Sequence, residues 1–263
     1  MKKHPLPARK KCFDNDTTPK DSIKRLYFDI ETAFSLGAFW ESRLYEVDII
    51  KKVRGWFMLS FSYAWNDGEI KHKQLPDYKG YKKNPYNDKE LVRDLLKLMN
   101  EADIIIGHNG RAFDWKKSLY KFVVHGFQPP PQNKIIDTMT IAGQLGFTSK
   151  SLENVAHDLG LGGKRKHSGF ETWEKCVAGK MSAWKELKWY NNGDIVVLRE
   201  VAKRFKPFIK NWDTIVLYKE GNPCTRCHKN NIWSRGERIL STGITHQRFQ
   251  CQDCGKWLHS KIR

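Results

Sequence analysis

The stretch RLYFDIETA, Arg25 to Ala33, carries two acids two positions apart in an otherwise apolar run. Leu26, Phe28 and Ile30 alternate with Tyr27, Asp29 and Glu31, the period-2 pattern of a strand. Side chains two apart leave a strand on the same face, so the Asp29 and Glu31 carboxylates lie side by side. Like charges that close repel unless one takes a proton or a cation intervenes. A strand edge with two solvated acids would show the same residues, so the rest of the chain must decide. In GHNGRAFDW, Asp114 follows a loop after a short apolar run, and in WYNNGDIVVL, Tyr190 and Asp194 are four apart and share a helix face. Asp137 opens DTMTIA. Gly193 within that helix costs ~1 kcal/mol relative to alanine, which points to a local need for a small residue.

A second group of residues suits a different metal. Cys224/Cys227 and Cys251/Cys254 are two CxxC pairs with 23 residues between them. Each pair turns the chain in a tight knuckle, helped after the second by Gly255, and four thiolates make a closed, structural Zn²⁺ site. Two disulfides, or a histidine (His228, His246 or His259) replacing one cysteine, remain alternatives. From Lys210 onward there are ten Lys or Arg and four Asp or Glu, so this module is basic in its own right. Arg226, Lys229, Arg235, Arg238, Arg248 and Lys256 could contact phosphates, and Trp233, Phe249 and Trp257 could stack bases. So small a module must spend some of those aromatics on its core, Trp257 first. Cys12 and Cys176 read as ordinary thiols.

The elements that must position these groups follow from periodicity. GWFMLSFSYAW and GEIKHKQL are two strands joined by an Asn66-Asp67-Gly68 turn. KELVRDLLKLMNEA and DWKKSLYKFVVHGF have helical spacing, and DIIIGHNG is a buried strand opening into a loop. KIIDTMTIA is a strand entering a helix that Asp137 can cap, and SLENVAHDLGL is a helix starting at Ser151. GGKRKHSGFETWEK, basic and glycine-rich, reads as a mobile loop. MSAWKELKWYNNGDIVVLREVAKRF is helical on both sides of a polar centre. Strands and helices alternate, so the main domain is α/β with a hairpin-bearing mixed sheet. The expected organisation is a flexible basic arm over 1–21, the α/β domain over 22–209 and a zinc ribbon over 210–263.

Composition narrows the function. Forty-seven Lys and Arg against 29 Asp and Glu leave a formal charge of +18, which favours polyanions, nucleic acid above all. The chain has no apolar run near the ~18 residues of a membrane span, and its N-terminus has no apolar segment of a secretory signal. The cysteine pattern suits metal ligands in a reducing compartment, so an intracellular, cytoplasmic location is expected.

In order, FDIET, NGRAFD and YNNGD resemble the three motifs of the DnaQ-like (DEDD) 3′→5′ exonuclease superfamily. The pattern Asn109-x-x-x-Phe113-Asp114 is closest to the proofreading domains of family B DNA polymerases. Tyr190-x-x-x-Asp194 resembles the DEDDy branch, whereas the DEDDh branch would want histidine where this chain has Trp189. Ile195 stands where that group usually has alanine. The resemblance covers roughly residues 22–205 and implies an RNase H-like fold with four acids gathered at one end of the sheet. It also implies that Asp29 bridges two Mg²⁺ or Mn²⁺ ions, that Glu31 and Asp194 complete the water-side ion, and that Asp114 supports the second. Tyr190 would orient the attacking water, since a phenol with pKa near 10 is a poor base. Thr32, His108 and Asn109 are candidates for the terminal nucleotide, with loop hydrogen bonding the favoured use of His108 and Asn109. Lys164, Arg165 and Lys166 could grip phosphates. Phe28 and Phe113 are expected in the core.

The chemistry required agrees with that ligand set. Phosphodiester hydrolysis needs an activated water and charge neutralisation on the leaving oxygen, which two cations about 4 Å apart supply. Hard cations such as Mg²⁺ take carboxylates together with waters and phosphate oxygens. The expected function is therefore a metal-dependent 3′→5′ exonuclease on single-stranded or frayed DNA, with the ribbon assisting binding. An RNase D-like enzyme trimming RNA is the nearest alternative. A catalytically inactive nucleic-acid binder, or an adaptor whose ribbon meets a replication or recombination protein, is the alternative from another class. No room is left in 263 residues for the polymerase that follows such a proofreading domain, so the resemblance implies a free enzyme or one working in a complex.

Overall fold

The computed structural model describes residues 24–38, 50–102, 104–130, 134–163, 165, 168–209, 212, 223–224, 227, 229–239, 245–253, 255 and 257–261. Arg25–Thr32 form strand β1, as the alternation predicts. Leu26, Phe28 and Ile30 are buried on one of its faces and Tyr27 on the other, which makes β1 a central strand. A short hairpin, β2 (Leu36–Ala38) and β3 (Lys51–Arg54), intervenes before β4 (Met58–Trp65) and β5 (Lys71–Gln74). Helix α1 (Lys89–Glu101), strand β6 (Ile104–Gly107), helix α2 (Asp114–Val124) and strand β7 (Lys134–Asp137) follow. Helices α3 (Thr138–Gln144), α4 (Leu152–Asp158), α5 (Phe170–Val177) and α6 (Met181–Phe205) complete the domain.

The sheet is five-stranded and mixed, in the order β5-β4-β1-β6-β7. β4 runs antiparallel to β1, and β6 and β7 run parallel to it. Ile104, Ile105 and Ile106 are fully buried because both faces of the sheet are covered, which is why β6 reads as an unbroken apolar run. Leu91, Val92, Leu95 and Met99 of α1 pack with Leu26, Phe28 and Ile30. On the opposite face α6 lies across β1, β4 and β5, and α3, α4 and α5 pack against α6. Trp212 is buried in the same core as Tyr27 and Leu198. This is the RNase H-like arrangement expected from the motifs.

Two departures from expectation have local causes. The second half of GGKRKHSGFETWEK is a helix, α5, and not a loop. Trp173, Cys176 and Val177, at i, i+3 and i+4, pack on the core, and that amphipathic spacing decides the outcome over the charged residues around them. Phe113 is exposed, beside the Lys117 ammonium at 5.6 Å, whereas Phe28 is buried as expected.

One buried ion cluster sets the start of β4. Asp88 accepts from the Met58 backbone N–H at 2.7 Å and lies 2.8 Å from Lys121 Nζ and 2.7 Å from His125 Nε2. Lys121 also donates to the Trp56 carbonyl at 3.2 Å, and its ammonium stands 4.6 Å from the Trp56 ring. Three segments distant in sequence are thereby tied behind Trp56.

The C-terminal module is a separate antiparallel sheet of β8 (Ile232–Ile239), β9 (Thr245–Cys251) and β10 (Trp257–Lys261), in the order β10-β9-β8. Phe249 and Leu258 are its buried residues, with Ile232 against them. Phe249 is therefore core and not a base-stacking surface, because it is the inward-facing aromatic of the middle strand. Trp233 is exposed, while the Trp257 side chain lies outside the described residues. No helix among the described residues is long and apolar enough to cross a membrane.

Candidate active site

Asp29 and Glu31 leave β1 on the face covered by α6, opposite Ser62 and Ser60 of β4. Asp194, 4% exposed, projects from α6 toward them. Ligand oxygens of Asp29, Glu31 and Asp194 all lie within 4.8 Å of one another. The carboxylates are thus drawn together by the two periodicities that suggested them, two along a strand and a single helix face above it.

Asp114 arrives by a different route. β1 pairs with β6 only as far as Tyr27 and Ile106, so the parallel strands part beyond that point. The Ile30 N–H, left without a strand partner on that side, donates to Asp114 Oδ1 at 3.0 Å. Asp114 is buried at the first residue of α2, where the helix N-terminus favours a carboxylate. It is adjacent to the acid-bearing end of β1, yet its oxygens are not in the 4.8 Å group with the other three.

The loop before α2 is built by Asp137. Its carboxylate accepts from Asn109 N, Arg111 N and Met139 N, each at 3.0 Å, and from Thr140 N at 3.4 Å. One residue therefore caps α3, as expected, and also holds the turn of the NGRAFD loop. Asn109 occupies the left-handed region at φ 59°, which its short polar side chain tolerates. His108 places Nδ1 2.9 Å from Thr138 Oγ1 and Nε2 2.8 Å from the Lys150 carbonyl, so both ring nitrogens work inside the loop.

Two residues that sequence reasoning passed over hold the acids directly. Trp173 Nε1 donates to Glu31 Oε2 at 3.0 Å. Asn191 Nδ2 donates to Asp29 Oδ2 at 2.6 Å and reaches the Asp29 carbonyl at 3.4 Å. Tyr190 packs edge-on against Trp173, with ring centroids 6.0 Å apart. Asn191 could have been found from its place in YNNGD, three residues before Asp194 on the same helix. Nothing local in ETWEK marks Trp173.

Beside Glu31 lies an open cleft of about 530 Å³, lined by Thr32, Phe34, Trp56, Lys117, Phe170 and Trp173 among others. Phe34 and Phe170 meet at 5.0 Å, and Lys117 Nζ stands 4.1 Å over the Trp56 ring. Burial, with Lys121 nearby, holds the Lys117 pKa below its ordinary value. A groove with aromatic walls and one cation suits stacked bases on a phosphate backbone.

Arg165 lies against α6 at Trp189 and Gly193. Its Nη1 donates to the Trp189 carbonyl at 2.6 Å, and its guanidinium sits 4.9 Å over the Trp189 ring. A Cβ on Gly193 would stand 2.5 Å from Arg165 Cδ, which is the local need for a small residue. Lys164 and Lys166 lie outside the described residues. In the C-terminal sheet, Arg248 Nη2 donates to the Arg235 carbonyl at 3.2 Å, so it is engaged within the sheet.

Cys224, Cys227 and Cys251 bring their sulfurs within 4.8 Å of one another, and Cys227 Sγ is 3.5 Å from Cys251 Sγ. That separation is far beyond the ~2.05 Å of a disulfide and suits thiolates sharing one tetrahedral ion. Cys254 lies outside the described residues. The acid cluster fits a hard divalent cation on the same reasoning: an all-oxygen donor set, with like charges that a cation would reconcile.

A family model described as the RNase H superfamily matches residues 55–206. A search of curated proteins found no match. Among solved structures, a family B DNA polymerase from the hyperthermophilic archaeon Pyrobaculum calidifontis is similar, with 17% sequence identity and a TM-score of 0.53. The likeness covers 71% of this chain and 25% of that one, and at this identity it is a likeness of fold.

Proposed function

The chain belongs to the RNase H superfamily, and from that premise we propose that it is a metal-dependent 3′→5′ exonuclease acting on single-stranded or frayed DNA. The observation that carries the proposal is the convergence of Asp29, Glu31 and Asp194 within 4.8 Å at the end of β1 where an aromatic cleft opens. Asp29, Glu31, Asp194 and Asp114 would hold two Mg²⁺ or Mn²⁺ ions, which when bound supply an activated water and neutralise the leaving oxygen.

The chain's own residues provide positioning. Trp173 holds the Glu31 carboxylate and packs against Tyr190, whose phenol would orient a water at the acids. Thr32 at the end of β1 and the Phe34, Trp56 and Phe170 rings receive the terminal nucleotides, with Lys117 beside a phosphate. Arg165, beside Trp189 of α6, would grip a phosphate of the strand. Cys224, Cys227, Cys251 and Cys254 hold one structural Zn²⁺, and the ribbon raises the local concentration of substrate. The DNA polymerase of similar fold makes DNA the first polymer to test.

The discriminating experiment offers linear and circular single-stranded DNA and matching RNAs in Mg²⁺ or Mn²⁺. The proposal expects linear DNA to be consumed and circles to survive. Cut circles would mean endonuclease cleavage, and a preference for RNA would move the function to RNA trimming. Intact substrate throughout, with a gel shift that requires the cysteines, would leave a zinc-dependent binder or an adaptor.

A further inference from the structure

Behind the acids, the sheet face under α6 carries two polar rows where apolar side chains would ordinarily pack. One runs Asp29, Ser62, His72 across β1, β4 and β5, and the other runs Glu31, Ser60, Gln74. Ser60, Ser62 and Asn191 are fully buried. Ser62 Oγ lies 2.8 Å from His72 Nδ1 and donates to Asn192 Oδ1 at 2.8 Å. Asn191 Oδ1, His72 Nε2, Gln74 Oε1 and Ser60 Oγ are buried atoms without a closed hydrogen bond among the described residues. Buried polar groups are expensive unless they serve something, and one of these atoms belongs to Asn191, the residue that bonds Asp29.

Resting on the metal reading above, we propose that Asn191 is a positioning residue for the Asp29 carboxylate, held in its working orientation by the polar row ending at His72. The direction of the amide follows from chemistry. Reversed, Asn191 would set its oxygen 2.6 Å from a carboxylate oxygen, two acceptors face to face. In the observed orientation Nδ2 satisfies Asp29 Oδ2 and Oδ1 is turned to the interior. The link from the row to this turn of α6 is the Ser62 hydroxyl, which meets His72 Nδ1 on one side and donates to Oδ1 of Asn192, the next residue after Asn191, on the other. A neutral donor aimed at one oxygen of Asp29 orients the carboxylate without cancelling the charge that a cation needs.

The test measures Mn²⁺ binding by electron paramagnetic resonance on the full chain loaded with zinc, with no nucleic acid present. Wild-type protein should bind Mn²⁺ at a site abolished in Asp29→Ala. Asn191→Leu, similar in size but with no donor, should weaken that site about 10–100-fold. His72→Phe should weaken it less, in the same direction, while leaving the Asn191 amide in place. A folded Asn191→Leu protein, judged by near-ultraviolet circular dichroism, that binds Mn²⁺ as wild type does would overturn the inference. If Asn191→Leu does not fold, unchanged binding in His72→Phe overturns it instead. Wild-type protein without the Asp29-dependent site would remove the metal reading itself, a result distinct from either.

Discussion

The indole of Trp173 and the carboxylate of Glu31 are joined by a 3.0 Å hydrogen bond across 142 residues of chain. The same indole packs against Tyr190. Trp173→Phe should keep most of the ring contact and lose only the donor. A hydrogen bond to a charged group is worth about 1.5–3 kcal/mol, so kcat should fall roughly 10–100-fold if that interaction is fully expressed at the transition state. Steady-state kinetics on a short single strand check this, and Trp173→Ala should be worse because Tyr190 then loses its packing as well.

Gly193 and Arg165 make a second pair with opposing effects. Helix propensity favours alanine over glycine by ~0.5–1 kcal/mol, yet a Cβ at 193 would stand 2.5 Å from Arg165 Cδ. Gly193→Ala should therefore melt no lower than wild type while its KM rises toward that of Arg165→Ala. The double variant should be no worse than Arg165→Ala alone, since both changes remove one contact. If Arg165 neutralises one phosphate, the salt dependence of single-strand binding should fall by a slope of ~0.7 in Arg165→Ala.

How far these relationships were legible in the sequence depends on their range. Asp29 with Glu31, and Tyr190 with Asp194, follow from the periods of a strand and a helix, and Asp137 announces a helix start. The order of three motifs then supplies the fold that brings them together. Trp173 reaches Glu31 from α5, a helix concealed within a glycine-rich and charged segment, and no local pattern records a contact 142 residues away. Gly193 was conspicuous as a cost, but its reason, Arg165, comes from another loop. Asn191 stood in plain view within YNNGD; only the register of β1 under α6 shows that it faces Asp29.

His72 gives a pH signature of the polar row. Burial lowers its pKa to about 4 from the ordinary 6.5; Lys188 adds to the lowering, while Gln74, Asp77 and Asn191 oppose it. Between those values the unfolded chain binds a proton that the folded chain refuses. The contribution of neutral His72 is complete above pH 6.5 and is lost as pH falls toward 4, at up to ~1.4 kcal/mol per unit. His72→Gln lacks that titration, so the stability of wild type relative to the variant should decline on going from pH 7 to pH 5. Urea unfolding of both proteins at the two pH values measures the difference.

The ribbon should separate cleanly from the chemistry. Cys251→Ala removes a buried sulfur 3.5 Å from Cys227 Sγ, and zinc content by mass spectrometry should fall from one ion per chain toward none. Affinity for long single strands should drop through loss of the tethered second site, while hydrolysis of short strands at saturating concentration should persist.

The most direct measurement is a time course on single-stranded DNA labelled at its 5′ end, in Mg²⁺, for wild type and Asp29→Ala. A ladder that shortens one nucleotide at a time from the 3′ end, absent with EDTA and absent in Asp29→Ala, is the predicted result. Full-length strand at every time point in wild type, or the same ladder from Asp29→Ala, would contradict an exonuclease centred on Asp29, Glu31 and Asp194.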